Sequence, residues 1–78
     1  MIDMVQTGNL LQQTFKESGY RVPEIADKLN VSVRAVYTWL KGQYLPSIDN
    51  LFLLSEITGR RIEEMVSYRP TIEQEDAA

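Results

Sequence analysis

The segment Asn30–Gly42, NVSVRAVYTWLKG, limits the fold more than any other stretch, because it starts and stops a helix with its own residues. Ser32 suits the N-cap, where a hydroxyl oxygen accepts a bond from an orphaned backbone N–H two or three residues on. Gly42 suits the position just past the end, where a left-handed backbone meets no Cβ clash. Val36, Trp39 and Leu40 recur at i, i+3 and i+4, so one face is apolar. Val33, Arg34, Tyr37, Thr38 and Lys41 cover the remaining face, with no glutamate among them. A solvent-facing helix of that composition directs the search for function to its outer surface.

Immediately upstream, Pro23 fits the first turn of a second short helix, where a missing N–H costs nothing. Ile25, Ala26 and Leu29 form its inner stripe, and Asn30 ends it, being one of the few residues that accept a left-handed backbone. Val31 then points inward. Two short helices joined by so tight a turn have helix-turn-helix geometry. Before them, Leu10, Leu11 and Phe15 predict a helix from about Gln6 to Ser18, stopped by Gly19 and weakened near its start by Gly8, with residues 1–5 a loose lead-in. After them, Pro46 closes a loop and Ser47 caps a fourth helix, with Asp49 in its positive first turn. Ile48, Leu51, Phe52, Leu54 and Ile57 predict that this helix is largely buried. Gly59 ends it, and Ile62 to Val66 form a last short helix. The expected architecture is all-α, a compact bundle of five short helices over residues 1–68, followed by a frayed acidic tail over 69–78.

Seventy-eight residues make one domain with one core. The absence of cysteine removes disulfides, thiolate catalysis and cysteine zinc sites, and the absence of histidine removes the commonest general base and metal ligand. No nucleophile–base pair, metal set or glycine-rich phosphate loop stands out, so the expectation is no enzyme, cofactor, metal or small-molecule substrate. The N-terminus has neither a basic region nor a cleavage site, and no apolar run reaches membrane-spanning length, which predicts a cytoplasmic protein without a membrane partner. The net charge of −3 is unevenly spread. From Tyr20 to Leu45, four cations stand against Glu24 and Asp27, a net +2, leaving −5 for the remainder.

The pattern Ile25-Ala26, Asn30-Val31-Ser32, Val36, Trp39, Gly42 and Pro46 resembles the lambda-repressor-like helix-turn-helix family, the Cro and repressor class. Leu51 to Leu54, Thr58-Gly59 and Ile62 to Val66 extend the likeness, which covers about Gly8 to Val66. The resemblance implies a DNA-binding regulator whose second motif helix enters the major groove. It assigns base reading to Val33, Arg34, Tyr37 and Thr38, with Ser32 and Ala35 at the margin. A guanidinium at Arg34 can bond guanine O6 and N7 together, and Val33 or Ala35 can meet a thymine methyl. It assigns phosphate contact to Val22, Pro23, Ser32, Lys41, Gln43 and Tyr44, with backbone N–H groups assisting.

Two departures from the family stand out. Val22 replaces a glutamine that braces phosphate and recognition residue. Phe15 and Leu40 replace an arginine–glutamate pair, so these two side chains are expected to lie together. The expected partners are double-stranded DNA and a second copy of the chain, with Leu45, Phe52, Ile62, Met65 and Tyr68 as dimer-surface candidates. The other reading is a protein-interaction module, antitoxin-like or a co-regulator, on the same fold. A positive patch beside an exposed helix favours DNA, and a wide apolar patch favours protein.

Overall fold

Local signals set most helix ends in the computed structural model, which describes residues 1–70. The order is α1 (Met4–Ser18), α2 (Val22–Leu29), α3 (Val33–Leu40), α4 (Ile48–Thr58) and α5 (Ile62–Met65). Ser32 Oγ accepts from Ala35 N–H at 3.0 Å, and Ser47 Oγ accepts from Asn50 N–H at 3.2 Å. Asn30 takes the left-handed backbone, φ 57°, and Gly42 follows α3 at φ 77°. The fold is all-α, as expected.

The core consists of Leu11, Phe15, Ile25, Ala26, Leu29, Val36, Trp39, Leu54 and Met65. The α2–α3 pair is the most extensively packed, with the buried Ala26 on α2 and the fully buried Val36 on α3. Leu40 is half-buried and packs against this cluster.

Gly8 has a different role from the helix-weakening one read above. It is buried, and a Cβ there would sit 2.5 Å from the Leu40 carbonyl oxygen. A Cβ on Gly42 would sit 2.8 Å from the Met4 carbonyl oxygen. The two glycines let α1 and the end of α3 meet backbone to backbone. Gln12 Nε2 ties the crossing by donating to Leu40 O at 3.1 Å.

Residues 1–5 are not a loose lead-in. Asp3 accepts from Gln6 N–H at 3.0 Å and starts α1 at Met4. The segment 1–3 lies antiparallel to 67–69, with Asp3 N–H donating to Ser67 O at 2.9 Å and an isolated bridge between Ile2 and Tyr68. Arg69 pairs with Asp3 at 2.8 Å, so packing runs past residue 68. The rest of the expected tail, 71–78, lies outside the described residues.

The expectation of a largely buried α4 is also corrected. Leu51 and Leu54 are buried, but Ile48 and Phe52 are 66% and 59% exposed. The helix packs against α1, α2 and α5, and among the described residues no other element covers Ile48 and Phe52. Met65 is fully buried, which removes it from any dimer surface.

Candidate nucleic-acid interface

With Val36 and Trp39 turned into the core, the helical period leaves Val33, Arg34, Tyr37 and Lys41 outward on α3. All four are exposed, and Thr38 beside them is half-buried. The Thr38 hydroxyl donates to Ala35 O at 2.6 Å, so it offers a partner only its methyl and lone pair. Arg34 keeps its full fork of donors, with no ion pair among the described residues. Ser32 is exposed at the cap, its oxygen accepting from Ala35 N–H while its own O–H stays available.

The six phosphate candidates are placed unequally. Val22 is half-buried against the core, and Pro23 beside it is exposed but has no N–H. Gln43 and Tyr44 are exposed on the loop after α3. The backbone of that loop is already committed. Lys41 N–H donates to Tyr37 O at 3.0 Å, Gly42 N–H to Trp39 O at 3.1 Å, and Gln43 N–H to Thr38 O at 2.9 Å. Tyr44 N–H donates to Thr38 O at 3.3 Å. These bonds close the C-terminus of α3, so the loop presents side chains rather than amides to a phosphate.

Tertiary structure adds two residues that sequence reasoning missed. Val22, Tyr37, Leu40 and Lys41 line one groove with Lys16 and Arg21. Lys16 lies in the last turn of α1, and Arg21 is the residue that caps α2. Their place just before the first motif helix was the available signal. Phe15 lines the same groove as Leu40, and Leu40 packs against the core cluster that includes Phe15.

Charge is sorted across the fold. Of the eight cations, Arg60 pairs with Glu17, Arg61 lies 3.9 Å from both Glu63 and Glu64, and Arg69 pairs with Asp3. Lys16, Arg21, Arg34 and Lys41 have no carboxylate partner among the described residues, and Lys28 stands 5.7 Å over the Tyr20 ring. All five lie on α1's last turn, α2's edges and α3. Local bonding explains why nearby acids do not quench them. Glu24 accepts from the backbone N–H of Arg21 at 2.8 Å, capping α2 instead of pairing with the guanidinium. Glu17 is occupied by Gln13 and Arg60, which hold its carboxyl below its ordinary value.

Among the described residues no helix is long and apolar enough to cross a membrane. No curated protein and no solved structure matches the chain. A family model described as Helix-turn-helix matches residues 11–65, spanning α1 from Leu11 through α5. The chain therefore belongs to the Cro/C1-type, lambda-repressor-like helix-turn-helix family of DNA-binding transcription regulators.

Proposed function

We propose that the protein is a sequence-specific, repressor-like regulator acting in the cytoplasm, which binds a two-fold DNA operator as a homodimer and inserts α3 in the major groove. The observation that carries this reading is the sorting of cations. Among the described residues, those remote from the motif are ion-paired, and those on and beside it have no carboxylate partner. Arg34 reads a guanine through two parallel hydrogen bonds, and Val33 meets a thymine methyl. Tyr37 contributes its hydroxyl, and Thr38 contributes its methyl and acceptor. Lys41, Gln43, Tyr44 and Ser32 hold phosphates with side chains, while Val22 and Pro23 set the backbone against which a strand rests. So few cations per protomer give modest affinity, so two copies on half-sites about 34 Å apart make the binding specific.

The exposed apolar side of α4, with Ile48 and Phe52, favours a protein contact as well. A second copy of the chain satisfies it within the same reading. An antitoxin-like or co-regulator partner is the other reading.

Selection from a random duplex pool, run in parallel with Arg34→Ala, tests the proposal. A two-fold motif that loses preference at one symmetric position in the variant supports it. A folded protein that enriches nothing at low salt overturns it in favour of the interaction module.

A further inference from the structure

Residues 1–70 hold eight acids and eight bases, so the net charge of −3 is carried wholly by Glu73, Glu75 and Asp76 in the segment 71–78, TIEQEDAA. Few bases are open to that segment. Arg60, Arg61 and Arg69 stand beside carboxylates, whereas Lys16, Arg21 and Lys41 have none among the described residues. These three rim one groove of about 530 Å³ with Phe15 and Leu40 in its floor, and no carboxylate lines it. We propose that the segment 71–78 docks on the Lys41 and Lys16 side of this groove in the free protein and must leave before DNA is bound. The docking stands without the DNA-binding function proposed above, and the resulting brake on that function rests on it.

The two partners are complementary. Three acids and one apolar residue, Ile72, face three cations and an apolar floor. The described acids nearest the groove are bonded elsewhere, Glu17 to Gln13 and Arg60, and Glu24 to the Arg21 amide. A carboxylate arriving from outside residues 1–70 therefore meets no internal competitor.

Position places the segment within reach. Arg69 N–H donates to Met1 O, and its guanidinium pairs with Asp3, which fixes the root of the segment beside the start of α1. Met4 there backs onto Gly42, whose added Cβ would lie 2.8 Å from Met4 O, and Lys41 precedes Gly42. Eight residues extend up to about 26 Å beyond Pro70. Exposed ion pairs are individually weak and screened by salt. A tether to the same chain offsets this by holding the acids at high effective concentration. Tyr37 and Lys41 belong both to the groove and to the outward face of α3, so a docked segment obstructs that face.

The test uses the full chain, which has no cysteine, so Ala77→Cys takes a single nitroxide label. At low salt the label is expected to broaden the NMR signals of the Leu40 methyls and the Lys41 amide, and to spare the exposed Leu53 methyls on α4. High salt is expected to abolish the broadening, as is the combined variant Glu73→Gln, Glu75→Gln, Asp76→Asn. Without a label, that variant is expected to bind a scrambled duplex about three- to tenfold more tightly than the parent at low salt, because no docked state competes. The gain should vanish at high salt.

No broadening at Leu40, or equal broadening at Leu53, overturns the docking. Equally strong broadening in a mixture of nitroxide-bearing and isotope-labelled copies assigns the segment to a second copy and overturns docking within one chain. If Leu40 broadens but the combined variant binds duplex no more tightly than the parent, the brake is overturned. If neither protein binds duplex at low salt while Leu40 still broadens, the DNA-binding reading and the brake fail and the docking stands.

Discussion

Replacing Gly8 with alanine sets two physical effects against each other with opposite signs. In a helix interior, Gly→Ala ordinarily stabilises by about 0.8–1.0 kcal/mol through backbone entropy. Here the new Cβ would lie 2.5 Å from the Leu40 carbonyl oxygen and 3.1 Å from the Gly42 nitrogen. Carbon contacts are comfortable at about 3.5–4.0 Å, so α1 and α3 must separate by roughly 1 Å at their crossing. Both obstructing groups are backbone, so no rotamer change relieves the clash. Overpacking of this kind costs about 1–3 kcal/mol, and widening the crossing also stretches the Gln12–Leu40 hydrogen bond. The balance is a net destabilisation of about 1–2 kcal/mol, which lowers Tm by roughly 4–15 °C in a domain this small.

Thermal and urea melts followed by circular dichroism read it, with the urea slope unchanged. Gly19→Ala is the control, because nothing lies within 4 Å of a Cβ there and only its left-handed φ of 77° is strained. A Gly8→Ala protein as stable as the parent, or more stable, would refute the close approach and with it the seating of α3.

Three further outcomes follow from particular bonds. Thr7 is buried and its Oγ1 accepts from Ser67 N–H at 2.9 Å, so Thr7→Val strands that donor and should cost about 1–3 kcal/mol in a urea melt, while Thr7→Ser costs clearly less. Asp3 is held below its ordinary value of 3.8, first by the Gln6 N–H and then by Arg69, and Glu17 below 4.5, first by Gln13 and then by Arg60. Both groups bind protons more weakly when folded, so their stabilisation is present above those values and is lost as pH falls through and below them. Asp3→Asn keeps an oxygen for the cap, loses the Arg69 charge pair, and should flatten the acid side of a Tm-against-pH curve. An unaltered curve would remove this pair from the account. Leu40→Glu alone should destabilise by roughly 1–3 kcal/mol, and adding Phe15→Arg should recover at least half, as measured by a double-mutant cycle. Additive losses would show that the two positions do not share a site.

Features resting on neighbours three to five residues away were legible in the chain. Ser32 and Ser47 cap because their hydroxyls reach amides three positions on. Asn30 turns the chain because its own backbone tolerates a left-handed conformation. The outward face of α3 follows from the period of one helix. By contrast, the pattern on α4 did not separate Leu51 and Leu54, which are buried, from Ile48 and Phe52, which are exposed. All four are apolar, and only the placement of α1, α2 and α5 chooses the buried side.

Residues far apart in the chain set the rest. Asp3 meets Arg69, Glu17 meets Arg60, and Gly8 meets the end of α3. A glycine that looked like a weak point is the contact that seats α3, because its missing Cβ matters only once another backbone arrives. Which cations remain unpaired, and that Lys16, Arg21 and Lys41 border one groove, likewise depends on where distant carboxylates and helix ends fall. The sequence by itself determined the five helices, most of their ends and the face of α3, but not the start of α1, which Asp3 caps at Met4. Tertiary structure alone decided which charges and apolar surfaces remain free, because burial and pairing belong to the assembled chain rather than to any segment of it.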